Sequence, residues 1–367
     1  MRKFAYISCL LLVLAIAFSI SLCAMDISAK GAVLIEAQSK DVIIGKNENT
    51  TLPMASTTKI MTALVVLDSI DTSTVVKIEP CMTNIEGSSI YLHEGEELTV
   101  SELLYALMLE SANDAAVALA YTVSGGIEAF ADLMNEKASS LGLENTHFTN
   151  PHGLDDKDHY TTPYELGIIA ACAMENPIFR EIVSTYKKTI PLNGGEGTRV
   201  LINHNRLLRS YNGAIGLKTG FTKRCGRCLV SCAERDGVTL ICVTLNAPND
   251  WQDHTKMLDC GFTEYVNLEL ASPQDYTIKM NAINGDKCSF LATNLDGLNV
   301  TLKKDNINIS AIFEADRLIC APIKKGDIIG KIVFYNNGDI IGSLDITSKE
   351  QINDIKYKKS IFERLFG

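Results

Sequence analysis

The apolar residues of this chain change their repeat along its length, and that change constrains the fold more than any other feature. Between Gly31 and Ile44 they form two clusters, Ala-Val-Leu-Ile and Val-Ile-Ile, separated by the polar Ser39-Lys40-Asp41. This reads as a β-hairpin whose first strand, near-continuously apolar, is buried on both faces. Ser56 to Ile70 then carries a largely apolar helix. Leu98 to Leu109 is a second helix, with Thr99 as its N-cap and Glu102 completing a capping box. Asp114 to Val123 and Ile127 to Leu141 are helical, broken by Gly125-Gly126, while Gly194-Gly195 and Asn212-Gly213 mark loops. From Leu217 to Leu245 the pattern is that of strands turning at Arg235-Asp236-Gly237. Beyond about residue 264, short alternating stretches take over: Leu298 to Leu302, Ile307 to Phe313, Ile328 to Tyr335 and Ile340 to Ile346. The expectation is an α/β (α+β) domain over residues 25–263, an antiparallel sheet flanked by helices, and then an all-β sandwich-like domain over 264–352. A length of 367 residues suits two domains.

The first two dozen residues are of another kind. Arg2 and Lys3 precede a nearly pure apolar run from Leu10 to Ile20, and small residues follow around Ser21 to Ala24. Residues 1–24 read as a secretory signal, too short and wrongly flanked for a transmembrane helix. Leu22 is too bulky to precede a lipoprotein cysteine at Cys23. An exported, extracytoplasmic protein is therefore expected. The formal net charge of −10 disfavours nucleic acid as a partner, because gripping phosphates takes a basic face. Of eleven cysteines, nine lie beyond residue 24, an odd number that leaves at least one unpaired in a monomer. A chain with this much apolar side chain needs no disulfide framework, so most are expected to be small buried hydrophobes.

Three short motifs carry chemistry. Ser56-Thr57-Thr58-Lys59 opens the apolar helix, Ser111-Ala112-Asn113 follows a helix, and Lys218-Thr219-Gly220 enters a strand. Each alone has an ordinary duty open to it, a helix cap or a turn. Together, in this order and context, they point to serine acyl transfer. Residues i and i+3 of a helix share a face, which sets Lys59 beside Ser56. Free backbone N–H groups at a helix start favour a developing alkoxide. A lysine desolvated near a second cation, here Lys218, gives up its proton more readily and can serve as general base. Ser111 can relay a proton to the leaving group, Asn113 can hold a substrate amide, and Lys218 with Thr219 can bind a substrate carboxylate. No cofactor and no metal is implied.

These motifs resemble the penicillin-recognising serine enzymes. Pro53 to Lys59, Ser111 to Ala116, Asn150-Pro151-His152-Gly153-Leu154 with His159-Tyr160-Thr161-Thr162, and Gly216 to Thr222 look like the D-alanyl-D-alanine carboxypeptidases among the low-molecular-mass penicillin-binding proteins. Pro322 to Asp327 and the hairpin after it resemble that family's C-terminal β domain. The resemblance implies a serine β-lactamase/transpeptidase-like fold for the first domain. It also implies removal of the terminal D-Ala from peptidoglycan pentapeptide stems through an acyl-enzyme on Ser56, with β-lactam antibiotics as acylating inhibitors. The oxyanion hole then maps to the backbone N–H groups of Ser56 and Phe221, beside Gly220. Two departures stand out: many members have Ser-Gly-Asn where this chain has Ser111-Ala112-Asn113, and many have Asp where this chain has Ile215.

Competing readings are a β-lactamase of the same fold and a non-catalytic penicillin or peptidoglycan sensor. The E-x-x-L-N segment with which class A β-lactamases position water is absent between Asn113 and Lys218; Glu144 and Glu165 are the nearest acids, and Glu165 reads as a first-turn helix acid. A pure sensor needs no base, yet Ser56, Lys59 and Lys218 are all present. Cys225, Cys228 and Cys232 could suggest zinc, but an extended strand cannot wrap three thiolates around one ion. His152 and His159 bracket the acidic loop Asp155-Asp156-Lys157-Asp158, with structural duties expected. Tyr357-Lys358-Lys359 before Ile361, Phe362, Leu365 and Phe366 sets a basic group beside an apolar stripe. The stretch 353–367 is therefore read as a short membrane-associating tail, a helix packed on the β domain being the alternative.

Overall fold

A run that is apolar at successive positions needs cover on both pleat faces, and Gly31–Glu36 (β1) has all six residues buried. It pairs antiparallel with Val42–Lys46 (β2) on one side and, on the other, with the last strand of a set formed by Ala214–Thr222 (β3), Gly226–Arg235 (β4) and Val238–Leu245 (β5). The resulting antiparallel sheet has the order β2-β1-β5-β4-β3. The computed structural model describes residues 25–192, 197–316 and 318–355, so the expected signal, the Gly194-Gly195 loop and the apolar stripe of the tail lie outside the described residues.

Among the described residues, seven helices of six or more residues accompany the sheet: Lys59–Ser69 (α1), Val100–Tyr105 (α2), Asn113–Ser124 (α3), Ile127–Ser140 (α4), Pro163–Glu175 (α5), Pro177–Ser184 (α6) and Asp250–Glu264 (α7). One face of β1 is covered at Val33 and Ile35 by α5, and the other at Leu34 by α7, which also meets Leu240 of β5. α1 lies deep in the helical layer, buried from Lys59 to Val66.

Two expected helices take a different form at their functional ends. Ser56 is not in the α-helix but in a 3-10 turn, Ala55–Thr58, that feeds α1 at Lys59. The expected helix from Leu98 to Leu109 starts with the anticipated box, Thr99 Oγ1 accepting from Glu102 N and Glu102 Oε2 from Thr99 N. After Tyr105 it widens into a π-turn, Ala106–Glu110, closed by Ser111 N–H on Ala106 O. Nothing in Ala-Leu-Met-Leu signals that widening, because every residue there is apolar.

The described residues divide into two compact units, the first ending at Gly261 and the second beginning at Phe262 and also taking in Arg235–Val238. After the last turn of α7, the described residues of the second unit form strands and loops only. Its six-stranded sheet runs, in spatial order, Ile309–Ala315, Ile328–Asn336, Asp339–Ser348, Ser289–Asn294, Thr277–Ile283 and Ile319–Cys320. A two-stranded sheet pairs Tyr265–Ala271 with Leu298–Lys303. Its core is small, centred on Phe290, Ile332, Phe334, Leu344 and Ile346. The architecture is the expected one: an antiparallel sheet flanked by helices, followed by a β-rich domain.

Candidate active site

The 3-10 turn sets the first piece of geometry. In such a turn residues i and i+3 eclipse, and Lys59 Nζ lies 3.1 Å from Ser56 Oγ. Ser56 is half-buried, whereas Lys59 is wholly buried. The other ammonium hydrogens go to Asn113 Oδ1 at 2.7 Å and to the carbonyl of His152. Burial first, and the charge of Lys218 second, hold the Lys59 ammonium well below the usual lysine range, while Asp114 pulls the other way.

Ser111 follows the π-turn with φ of 60°, a left-handed conformation that costs a non-glycine residue energy and that packing must hold. It is buried, and Asn113 two residues on begins α3. The Asn113 amide is largely committed: its oxygen takes Lys59, and one N–H goes to Glu86 O at 2.6 Å. Asp114 fastens the loop before it, accepting from Ser89 Oγ at 2.6 Å and Leu92 N at 3.0 Å.

β3 supplies the facing wall. At Gly220 a side chain is impossible without movement, since a Cβ there would stand 3.0 Å from Ser56 N and 3.1 Å from Thr57 N. That approach brings Thr219, Gly220 and the exposed Phe221 to the mouth of the nucleophile turn. Lys218 is buried behind them with Nζ on Thr219 O at 3.0 Å; burial lowers its ammonium to about 7 against the opposing pull of Glu110.

A cleft of about 360 Å³ opens here, lined by Ser56, Ser111, Thr219, Gly220 and Phe221 among the expected residues. Lys59, Asn113 and Lys218 stand behind this lining. The cleft also contains residues that motif reading passed over: His204, Arg206, Arg227, Asp250 and Trp251. Arg227 pairs with buried Asp250 at 3.0 Å, and the guanidinium carbons of Arg206 and Arg227 each lie 5.9 Å from the Trp251 ring. The signal available in the sequence was that Trp251 is the sole tryptophan.

The acids weighed for β-lactamase chemistry are placed as follows. Glu165 is buried, with its oxygens held by Asn145 N at 2.9 Å and by Thr146 Oγ1 at 2.5 Å, so it pins a loop as well as starting α5. Glu144 is exposed. His152 and His159 are buried and neutral, lowered by burial to about 3 and about 4. Four thiols, Cys225, Cys228, Cys232 and Cys242, are free and buried; Cys81, Cys288 and Cys320 are exposed, so the expectation that most cysteines are buried was too broad. Cys228 also lines the cleft. Among the described residues no three His, Cys, Asp or Glu side chains gather as metal ligands.

Comparison with known proteins agrees with this geometry. Residues 19–249 match the family described as D-alanyl-D-alanine carboxypeptidase, and residues 270–354 match the C-terminal domain of penicillin-binding protein 5. D-alanyl-D-alanine carboxypeptidase DacF of Bacillus subtilis is 33% identical over 88% of this chain and 86% of its own length. D-alanyl-D-alanine carboxypeptidase DacC of Escherichia coli is 30% identical over 90% of this chain and 86% of its own. The crystal structure of penicillin binding protein 5 from Haemophilus influenzae superposes with a TM-score of 0.69 at 27% identity, covering 90% of this chain and 98% of that one. With catalytic-type residues, both domain matches and these relatives in agreement, the chain belongs to the D-alanyl-D-alanine carboxypeptidase family of low-molecular-mass penicillin-binding proteins.

Proposed function

We propose that the serine-type D-Ala-D-Ala carboxypeptidase activity of this chain runs through an acyl-enzyme on Ser56, with the pentapeptide stem of peptidoglycan as substrate. The observation that carries this reading is Lys59, a wholly buried amine 3.1 Å from Ser56 Oγ whose charged form burial and Lys218 both disfavour. Neutral Lys59 takes the Ser56 proton as the oxygen attacks the carbonyl of the penultimate D-alanine. The N–H groups of Ser56 and Phe221 receive the developing oxyanion, a contribution of about 10²–10³ in rate per donor in serine hydrolases. Ser111 passes a proton to the departing D-Ala amine, Asn113 orients the stem peptide, and Lys218 with Thr219 holds the terminal carboxylate. Water then attacks the ester, and the enzyme is restored. β-Lactams form the same ester and leave their amine tethered, where it obstructs water.

Residues 25–263 form the catalytic domain and 264–352 the C-terminal β domain in this reading. The leader 1–24 directs export, and the tail 353–367 gives reversible contact with the membrane surface. The decisive experiment follows labelled-penicillin adduct formation and D-Ala release on one sample. Ser56→Ala should lose both while keeping its melting temperature; D-Ala release at the unsubstituted rate would refute the mechanism.

A further inference from the structure

The nucleophile stands on a strained support. Ala55, the residue before Ser56, has φ of 49°, a left-handed conformation that a non-glycine residue holds only when its surroundings compel it. Two contacts do so. Gly153 presses on the Ala55 carbonyl so closely that a Cβ there would stand 2.0 Å from Ala55 O. Thr58 Oγ1 donates to the same oxygen at 2.7 Å.

Behind Thr58 stands His159, 3% exposed, with Nε2 2.7 Å from Thr58 Oγ1. Its other nitrogen, Nδ1, accepts Thr149 N–H at 3.0 Å, so Nδ1 carries no proton. The neutral ring must then hold its proton on Nε2, and the Thr58 hydroxyl, committed as a donor to Ala55 O, must accept it. The result is a one-way chain: Thr149 N–H to His159 Nδ1, His159 Nε2–H to Thr58 Oγ1, Thr58 O–H to Ala55 O. Phe148 stacks edge-on against the ring at 5.7 Å and keeps its plane. A protonated ring would turn an N–H against Thr149 N–H and break the chain; burial, which lowers the imidazole to about 4, keeps it neutral.

We infer that His159 is a positioning residue for Ser56, an inference that rests on the acyl-enzyme reading above: through Thr58 it fixes the left-handed Ala55, and Ala55 aims both Ser56 Oγ and the Ser56 N–H into the cleft. His159 touches no substrate. Its effect is on how often the nucleophile and its oxyanion donor are aligned, so it acts on the chemical step and not on the hold over the peptide.

The test uses the full-length enzyme with His159→Asn, His159→Gln, Thr58→Val and the pair Thr58→Val/His159→Asn. The readouts are the rate of Ser56 acylation by labelled penicillin, kcat and KM for D-Ala release, and the melting temperature. Misplacing a reacting group by about 1 Å costs about 10²-fold, and losses of that order are expected in kcat and acylation for His159→Asn and Thr58→Val, with KM unchanged. His159→Gln, whose amide N–H can reach Thr58, should recover most of the rate. The paired substitution should cost no more than either alone, because both break one chain. Losses that follow melting temperature, that are equal in the Gln and Asn variants, or that add in the pair overturn the inference. If His159→Asn does not fold, Thr58→Val against His159→Gln decides by the same criteria. Failure of the underlying mechanism looks different: Ser56→Ala would release D-Ala normally, whatever the His159 variants do.

Discussion

Two buried ammonium groups lie close behind one serine, and in the proposed mechanism their opposite requirements govern the pH behaviour. Lys59 works as a base only when neutral, so kcat/KM should rise as pH climbs through its lowered pKa. Lys218 holds a carboxylate only when charged, so kcat/KM should fall as pH climbs through a value near 7 in the free enzyme. Glu110 is the group that raises Lys218; its carboxylate also accepts Ile202 N–H at 2.6 Å. Glu110→Gln keeps an acceptor for Ile202 but removes the charge, so the alkaline limb of the profile should move to lower pH. An unmoved limb would show that Lys218 does not control it. Lys59→Arg keeps a cation that does not deprotonate, and acylation should fall by about 10²–10⁴; near-normal turnover would mean that another base serves Ser56. At this scale the motifs were legible because i,i+3 spacing and residue type carry the chemistry. The Arg206, Arg227 and Trp251 wall was not, because its members come from three separate segments and no local spacing links them.

The elements succeed in placing these residues where the backbone departs from regular form. A standard α-helix from Ser56 onward would set Ser56 and Lys59 on a shared face; the 3-10 turn brings them closer to eclipse and leaves room for β3 to close in at Gly220. Gly220→Ala should therefore push β3 off the nucleophile turn. Because the Phe221 N–H follows directly, acylation should drop by about 10² while the melting temperature moves little; unchanged acylation would mean the strand tolerates the methyl by shifting elsewhere. The capping box at Thr99 and Glu102 was readable because its partners are three residues apart. Signals of the same quality went unread at α6, where Asn176 caps Ile178 N at 2.9 Å and Pro177 occupies the first turn. α7 likewise buries His254, Met257, Leu258 and Gly261, a helical spacing hidden by its otherwise polar composition. The π-turn before Ser111 and the left-handed Ala55 had no such local signature. The left-handed Ala55 is held by a tertiary neighbour, the residue-153 loop, which packs against its carbonyl.

On the scale of the whole molecule, the change from helical to alternating apolar pattern near residue 264 announced an all-β part, and the described residues fall into two units near that point. The pattern identified Ile328–Asn336, whose large apolar residues Ile332, Val333 and Phe334 are buried in succession, and passed over Thr277–Ile283, where half-buried Ile278, Met280 and Ala282 alternate with exposed Lys279 and Asn281 and give only a weak apolar signal. Histidine is distributed unevenly: all six lie between His93 and His254, before the second unit's main span. Three of them are buried and neutral, His152 at about 3, His159 at about 4 and His254 at about 3, in each case lowered chiefly by burial. The sign of the linkage follows. Above the unfolded-state value near 6.5 both states are neutral and no penalty exists. As pH falls below it the unfolded chain binds protons that the native state refuses, and stability is lost progressively until the native values near 3 to 4 are reached. At pH 5 each such histidine costs about 2 kcal/mol, about 6 kcal/mol for three, a large share of the roughly 5–15 kcal/mol by which domains are stable. Trp251 is the sole tryptophan and belongs to the first unit, so its fluorescence reports that unit selectively. Melting followed at Trp251 should fall by about 10–20 °C between pH 7.5 and pH 5. Hydrogen exchange of peptides from Ile328–Asn336 and Asp339–Ser348 should change far less over the same interval, since that unit holds no histidine to protonate. His159→Gln, which cannot take up a proton, should flatten the Trp251 melting curve's pH dependence by about one third. Equal acid sensitivity in both units, or an unaltered slope in His159→Gln, would assign the acid lability to carboxylates instead of these imidazoles.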